Sequence, residues 1–102
     1  MITHLVFFNM HPVADGRSGE ENARLLVEML QNLPSSIPEL VELEAGLDIS
    51  HSPASYEVGL MTQFRNREDL EVYRVHPEHQ KVIEFVKKTT SARAVVDFES
   101  QA

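Results

Sequence analysis

The chain has 102 residues, a formal net charge of −7, 42% hydrophobic residues and no cysteine. That length holds one compact domain, expected over residues 1–102, and the composition predicts a folded core rather than disorder. Without cysteine there is no disulfide framework and no thiolate chemistry. Lys and Arg are scattered, the densest pair being Lys87-Lys88, so no nucleic-acid partner is expected.

The opening MITHLVFFNM lacks the cationic and long apolar regions of a signal peptide. No apolar run approaches the roughly 20 residues a membrane helix needs. A cytoplasmic protein with no membrane partner is therefore expected.

Residues 2–10 are rich in β-branched and aromatic side chains and predict a strand. Ile2, His4, Val6, Phe8 and Met10 share one face; Thr3, Leu5, Phe7 and Asn9 share the other. Both faces are largely apolar, which suits a central strand. His11 to Gly19 reads as a loop. Ser18 and Glu21 stand in capping-box spacing at the head of a helix carrying Leu26, Leu30 and Leu33, ended by Pro34.

A second strand follows over Leu40–Ser50, with Val41, Leu43, Ala45, Leu47 and Ile49 alternating with polar positions. HSPAS turns into a third strand over Tyr56–Phe64. Asn66 and Asp69 can cap the next helix. Pro77 suits the first turn of a further helix, and Lys87-Lys88 suit its C-terminal dipole. The last strand, Ser91–Glu99, puts Ala92, Ala94, Val96 and Phe98 on one face.

The order β-α-β-β-α-α-β predicts an α+β, ferredoxin-like antiparallel sheet with helices on one face. The uncovered face carries Leu5, Phe7, Met61 and Val95. An apolar stripe of that kind predicts a homodimer in which two sheets pack face to face.

The segment YRVHPEH, Tyr73 to His79, concentrates a tyrosine, a proline and two of the five histidines. His79, Val82, Ile83 and Val86 fall at i, i+3, i+4 and i+7, so His79 belongs to the buried side of its helix. Two readings stand side by side: a core histidine satisfied by one hydrogen bond, or a base in a pocket. His76, ahead of Pro77, reads as a structural junction residue. Its i, i+3 spacing to His79 could hold a metal, but two histidines fall short of the three or four ligands of a zinc site. No metal and no cofactor are expected.

MITHLVFF, IPELVELEAGLDIS, REDLEVYRVHPEH and the closing VVDFE together resemble the stress-responsive A/B barrel (Dabb) family, over nearly the whole chain. That resemblance implies a dimeric α+β barrel. One enzymatic branch of the family, the olivetolic acid cyclases of plants, shares the Tyr–His–Pro–x–His arrangement. Similarity to that branch implies His79 as the base, Tyr73 as its hydrogen-bonding partner, and His4 as a pocket wall. Val58 departs from it, standing where the cyclases carry a histidine.

The expected site is a small-molecule pocket between sheet and helices, lined by His4, Val6, Phe8, Val58, Leu60, Val82 and Ile83. It would take a small aromatic or polyketide-like ligand and perform cofactor-free proton transfer or cyclisation. The alternative is a non-catalytic dimeric binding or scaffold protein whose histidines are structural.

Overall fold

The computed structural model describes residues 1–101. Ala102, the last residue of the expected domain, lies outside them. Strand β1, Ile2–Met10, leads to a short hairpin of β2, Val13–Ala14, and β3, Arg17–Ser18. The proline and glycines of His11 to Gly19 predict a loop here, and the chain forms a hairpin instead. Asp15 and Gly16 both adopt positive φ, 53° and 75°, the backbone a two-residue hairpin turn requires.

Helix α1, Gly19–Gln31, is capped reciprocally. The Glu21 N–H donates to Ser18 Oγ, and the Ser18 N–H donates to the Glu21 carboxylate. Gly19 is required by close approach, since a Cβ there would lie 2.7 Å from the His11 carbonyl oxygen. The α-helix ends three residues before Pro34, which sits in a 3-10 turn over Leu33–Ser35.

Strand β4 covers Glu42–Leu47 and β5 covers Val58–Phe64, each shorter than its sequence expectation. The Asp48 N–H still bonds to the Glu57 carbonyl. Asp48 Oδ2 then accepts from the His51 N–H, and the chain turns away with His51 at φ 49°. Ile49 is thus 90% exposed, although alternation predicted it inside. Helix α2, Arg67–Val75, is capped by Asn66 Oδ1, which accepts from the Asp69 N–H at 2.8 Å. Helix α3 covers Pro77–Thr89, and β6 closes the fold over Thr90–Glu99.

The main sheet is antiparallel in the order β4-β5-β1-β6. With three helices against one face this is the expected α+β, ferredoxin-like fold, and β1 is central as its two apolar faces require. Ile2, Val6, Phe8, Val58, Leu60 and Phe64 meet Leu26, Leu30, Leu70, Val82 and Val86 in one core. Burying a side chain of that size stabilises by about 1.5–3 kcal/mol.

One expectation is corrected by register. Val95 pairs with Val6 and therefore lies on the helix side of β6. Val96 pairs with Leu5, and Phe98 with Thr3. Val96 and Phe98, 53% and 45% exposed, are the β6 residues that join Leu5, Phe7 and Met61 on the open face. A single step along a strand reverses the face, so misplacing Val95 by one position inverts it.

Candidate active site

The break between α2 and α3 builds the site. His76 N donates to the Tyr73 carbonyl, and Pro77 has no N–H to carry the helix on. The Glu78 N–H donates instead to His76 Nδ1 at 3.1 Å, so His76 is the N-cap of α3. Arg74 is left with a carbonyl that has lost its helical partner. Two side chains from the first turn of α3 take it: Gln80 Nε2 donates at 2.7 Å and His79 Nδ1 at 3.1 Å.

A carbonyl can only accept, so the Arg74 bond sets the tautomer of His79. Nδ1 carries the hydrogen and Nε2 carries the lone pair of the neutral ring. Burial lowers the His79 pKa below its ordinary value. The Arg74 carbonyl opposes that shift, and electrostatic repulsion from the direction of His4 and from the Arg74 and Arg93 guanidinium groups adds to it. His79 is a neutral base at pH 7.

Tyr73, at the C-terminal end of α2, is completely buried. Its ring lies 4.2 Å from the His79 ring, 5.0 Å from Phe64 and 6.1 Å edge-on from His4, between centroids. Its hydroxyl is the one buried side-chain polar atom among the described residues without a hydrogen-bond partner. An orphan of that kind costs about 1–3 kcal/mol. Burial raises its pKa, so it stays protonated and can donate.

Strand pairing supplies the fourth part. His4 and Asp97 are directly opposite in the β1–β6 register. His4 Nδ1 donates to Asp97 Oδ1, and Arg74 Nη2 donates to Asp97 Oδ2 at 2.9 Å. The carboxylate thus ties the sheet to the end of α2 and orients the His4 ring. Beside it, Thr62 Oγ1 donates to the His4 carbonyl at 3.2 Å.

Tyr73, His79 and His4, singled out from sequence, therefore come together. The other expected wall residues behave differently. Val6, Phe8, Val58, Leu60 and Val82 are packed core side chains, and Ile83 is half-buried. The open spaces lie elsewhere. A cleft of about 240 Å³ runs between α2 and β6 past Leu70, Arg74, Asp97 and Phe98. A larger groove, about 590 Å³, lies on the open face against Phe7, Gly46, Gly59 and Met61. Sequence reasoning missed Asp97 and Arg74. Alternation along VVDFE places Asp97 opposite in sense to Val96 and Phe98, but its partner becomes visible only with the strand register.

Among the described residues no three histidine, aspartate or glutamate side chains gather as a metal site. No helix is long and apolar enough to cross a membrane.

Solved structures resemble the whole fold. A dimeric protein of unknown function with a ferredoxin-like fold from Bacteroides fragilis superposes with a TM-score of 0.82 at 26% identity, covering 97% of this chain and 95% of its own. A dimeric ferredoxin-like protein of unknown function from Thermobifida fusca gives 0.81 at 22% identity, with 95% and 88% covered. The hydroxynitrile lyase of Passiflora edulis gives 0.77 at 18% identity, with 95% and 90% covered. No curated protein matches the sequence significantly. The model of the stress-responsive A/B barrel domain matches residues 2–100, and the chain belongs to that family, Dabb.

Proposed function

We propose that the protein is a homodimer with a proton-transfer site in each protomer, acting without a cofactor on a small carbonyl compound. The observation that carries this is the pairing of His79 and Tyr73. A neutral imidazole with a free Nε2 stands 4.2 Å, ring to ring, from a buried tyrosine whose hydroxyl has no partner. A neutral imidazole can remove a proton next to a carbonyl, and a buried hydroxyl donor stabilises the oxyanion that forms. His4, held by Asp97, extends the polar wall. The Passiflora hydroxynitrile lyase is a catalyst on the same fold, which supports reading this chain as an enzyme. Aromatic and polyketide-like ligands remain within this class.

Dimerisation is proposed from the open face, where Leu5, Phe7, Met61, Val96 and Phe98 form an apolar surface on one side of the sheet. The Bacteroides and Thermobifida relatives are described as dimeric. Two such faces packed about a two-fold axis would form a barrel. Sedimentation as a monomer at low micromolar concentration would overturn it.

The test of the chemistry is deuterium uptake from D₂O into a panel of small ketones and β-keto esters, followed by NMR. The wild type should accelerate exchange of at least one compound, and His79→Gln should lose about 10²-fold or more of that acceleration. Equal rates with the two proteins would end the assignment.

A second reading is favoured by one observation: the side chains expected to line the pocket are close-packed. On that reading the protein is a non-catalytic dimeric binding or scaffold protein, and His79 braces the α2–α3 junction through the Arg74 carbonyl. His79→Ala would then cost stability, about 1–3 kcal/mol. An unaltered melting temperature in that variant would count against it.

A further inference from the structure

Strand register arranges the open face in rows that run from β4 to β6. One row reads Gly46, Gly59, Phe7, Ala94, and the next reads Glu44, Met61, Leu5, Val96. Gly46 and Gly59, directly paired, line the groove of about 590 Å³. The protomer itself requires neither glycine. Neither has a positive φ. A Cβ at Gly46 would meet nothing within 4 Å, and one at Gly59 would meet Phe7 Cδ1 at 3.9 Å, an ordinary contact. A glycine inside a strand weakens it and often marks the close approach of another group. Two of them side by side make a hole that their own chain does not fill.

Charge restricts how a second copy can lie on this face. Glu42 and Glu44 occupy its β4 edge, opposite Gln63 and Met61. The four strands bring no lysine or arginine to it, since Arg93 pairs with Phe8 on the helix side. A two-fold axis running across the strands would stack β4 on its own copy. The carboxylates of the two chains would then meet across a gap of about 10 Å with no cation between them. An axis running along the strands lays β4 over the partner's β6 instead. The carboxylates then sit at the wet rim, above apolar residues. That operation also reverses each row onto itself. In the glycine row Phe7 falls over the partner's Gly59, and Ala94 over the partner's Gly46. In the next row Met61 meets the partner's Leu5. The largest side chain of the face thereby lands on its deepest hole, as a self-complementary patch requires.

We infer that a second copy of this chain docks on the open face with its strands aligned, the Phe7 ring of each protomer seated in the Gly46–Gly59 hole of the other. This rests on the dimer reading above and specifies how the two sheets meet. Face-to-face sheets keep their strands within about 30° of each other, which the strand-parallel axis allows. Phe7 is 38% exposed in the single protomer, and an aromatic ring closed into a central pocket is the kind of anchor that dominates an interface.

The chain has no cysteine, so single introduced thiols map the packing. Glu44→Cys and Val96→Cys change exposed positions at the same level of the sheet and keep the fold. The two variants are mixed, allowed to exchange subunits and treated with a short bis-maleimide, and the products are identified by mass. The mixed covalent dimer should dominate, and Glu44→Cys alone should give little product. A dominant product from Glu44→Cys alone would place β4 on β4 and overturn the inference while leaving the dimer standing. Gly46→Leu fills the hole without touching its own chain. In sedimentation it should weaken association about tenfold or more, with an unchanged circular dichroism spectrum. Undiminished association in Gly46→Leu would also overturn the inference alone. A wild type that sediments as a monomer would overturn the dimer reading and this inference with it.

Discussion

The two faces of the main sheet are made from alternate residues of the same strands, yet they end in opposite states. The helix side is packed almost without gaps and carries His4, Tyr73 and His79 at its edge. The open side is apolar and carries the larger hollow, where Gly46 and Gly59 pair across β4 and β5 and neither contributes a side chain. The size of a cavity is therefore a poor guide to chemistry in this molecule. Polar groups gather where a helix break and an edge strand interrupt the packing. Space gathers where a second sheet is proposed to lie.

The strongest way to break this comparison is to place a charge on the open face. Phe7→Asp should dissociate the dimer, weakening association by about 10³-fold or more, because an unpaired carboxylate would be buried between two apolar sheets. Analytical ultracentrifugation reads it, and the variant monomer should stay folded, since the helix-side core is untouched. An undiminished dimer would show that the partner lies elsewhere.

On the helix side, Leu26→Ala should cost about 3 kcal/mol in urea unfolding, because Leu26 is fully buried and its removal leaves a cavity. A loss below about 1 kcal/mol would mean that this face is looser than the structure shows.

Tyr73→Phe separates site from core. Removing an unpartnered hydroxyl should leave stability unchanged or raise it by about 1 kcal/mol, while lowering the rate of deuterium exchange. A clear loss of stability would mean that the hydroxyl has a partner, such as a bound water, and is structural.

The smallest effect is on the pH dependence of stability. The His79 pKa is lower in the folded state, so between that value and the unfolded value near 6.5 the unfolded chain binds more protons. The favourable contribution is fully present above about pH 6.5 and is lost as pH falls through the folded pKa. Urea unfolding at pH 7.5 and 5.5 should show a larger acid-side loss for the wild type than for His79→Gln. Equal losses would mean that His79 titrates normally.

Helices and strands were legible from local signals: the Ser18–Glu21 capping box, the β-branched run of β1, and Pro77 at the head of α3. The hairpin at Asp15-Gly16 is equally local, since an Asp-Gly pair suits a turn with positive φ at both central residues. The outer ends of β4 failed because alternation describes a strand and not how far the helices cover it. Ile49 keeps the phase and lies past the cover.

The site divides in the same way. That Tyr73 and His79 belong to the buried side of their helices follows from the 3.6-residue period, which any reader of the sequence can apply. That their rings meet depends on the angle at which α3 leaves the break, and hence on the Arg74 carbonyl left free there. His4 and Asp97 are 93 residues apart and no local pattern joins them. Only the pairing of the first strand with the last makes a histidine and a carboxylate into one unit. Sequence by itself determined the elements, their order and the side on which each histidine of the site would lie, because those depend on neighbours along the chain. Tertiary structure alone decided the Val95–Val96 face, the Asp97–His4–Arg74 bridge and the orphaned Tyr73 hydroxyl. Those depend on register and packing between segments that meet only when the chain is folded.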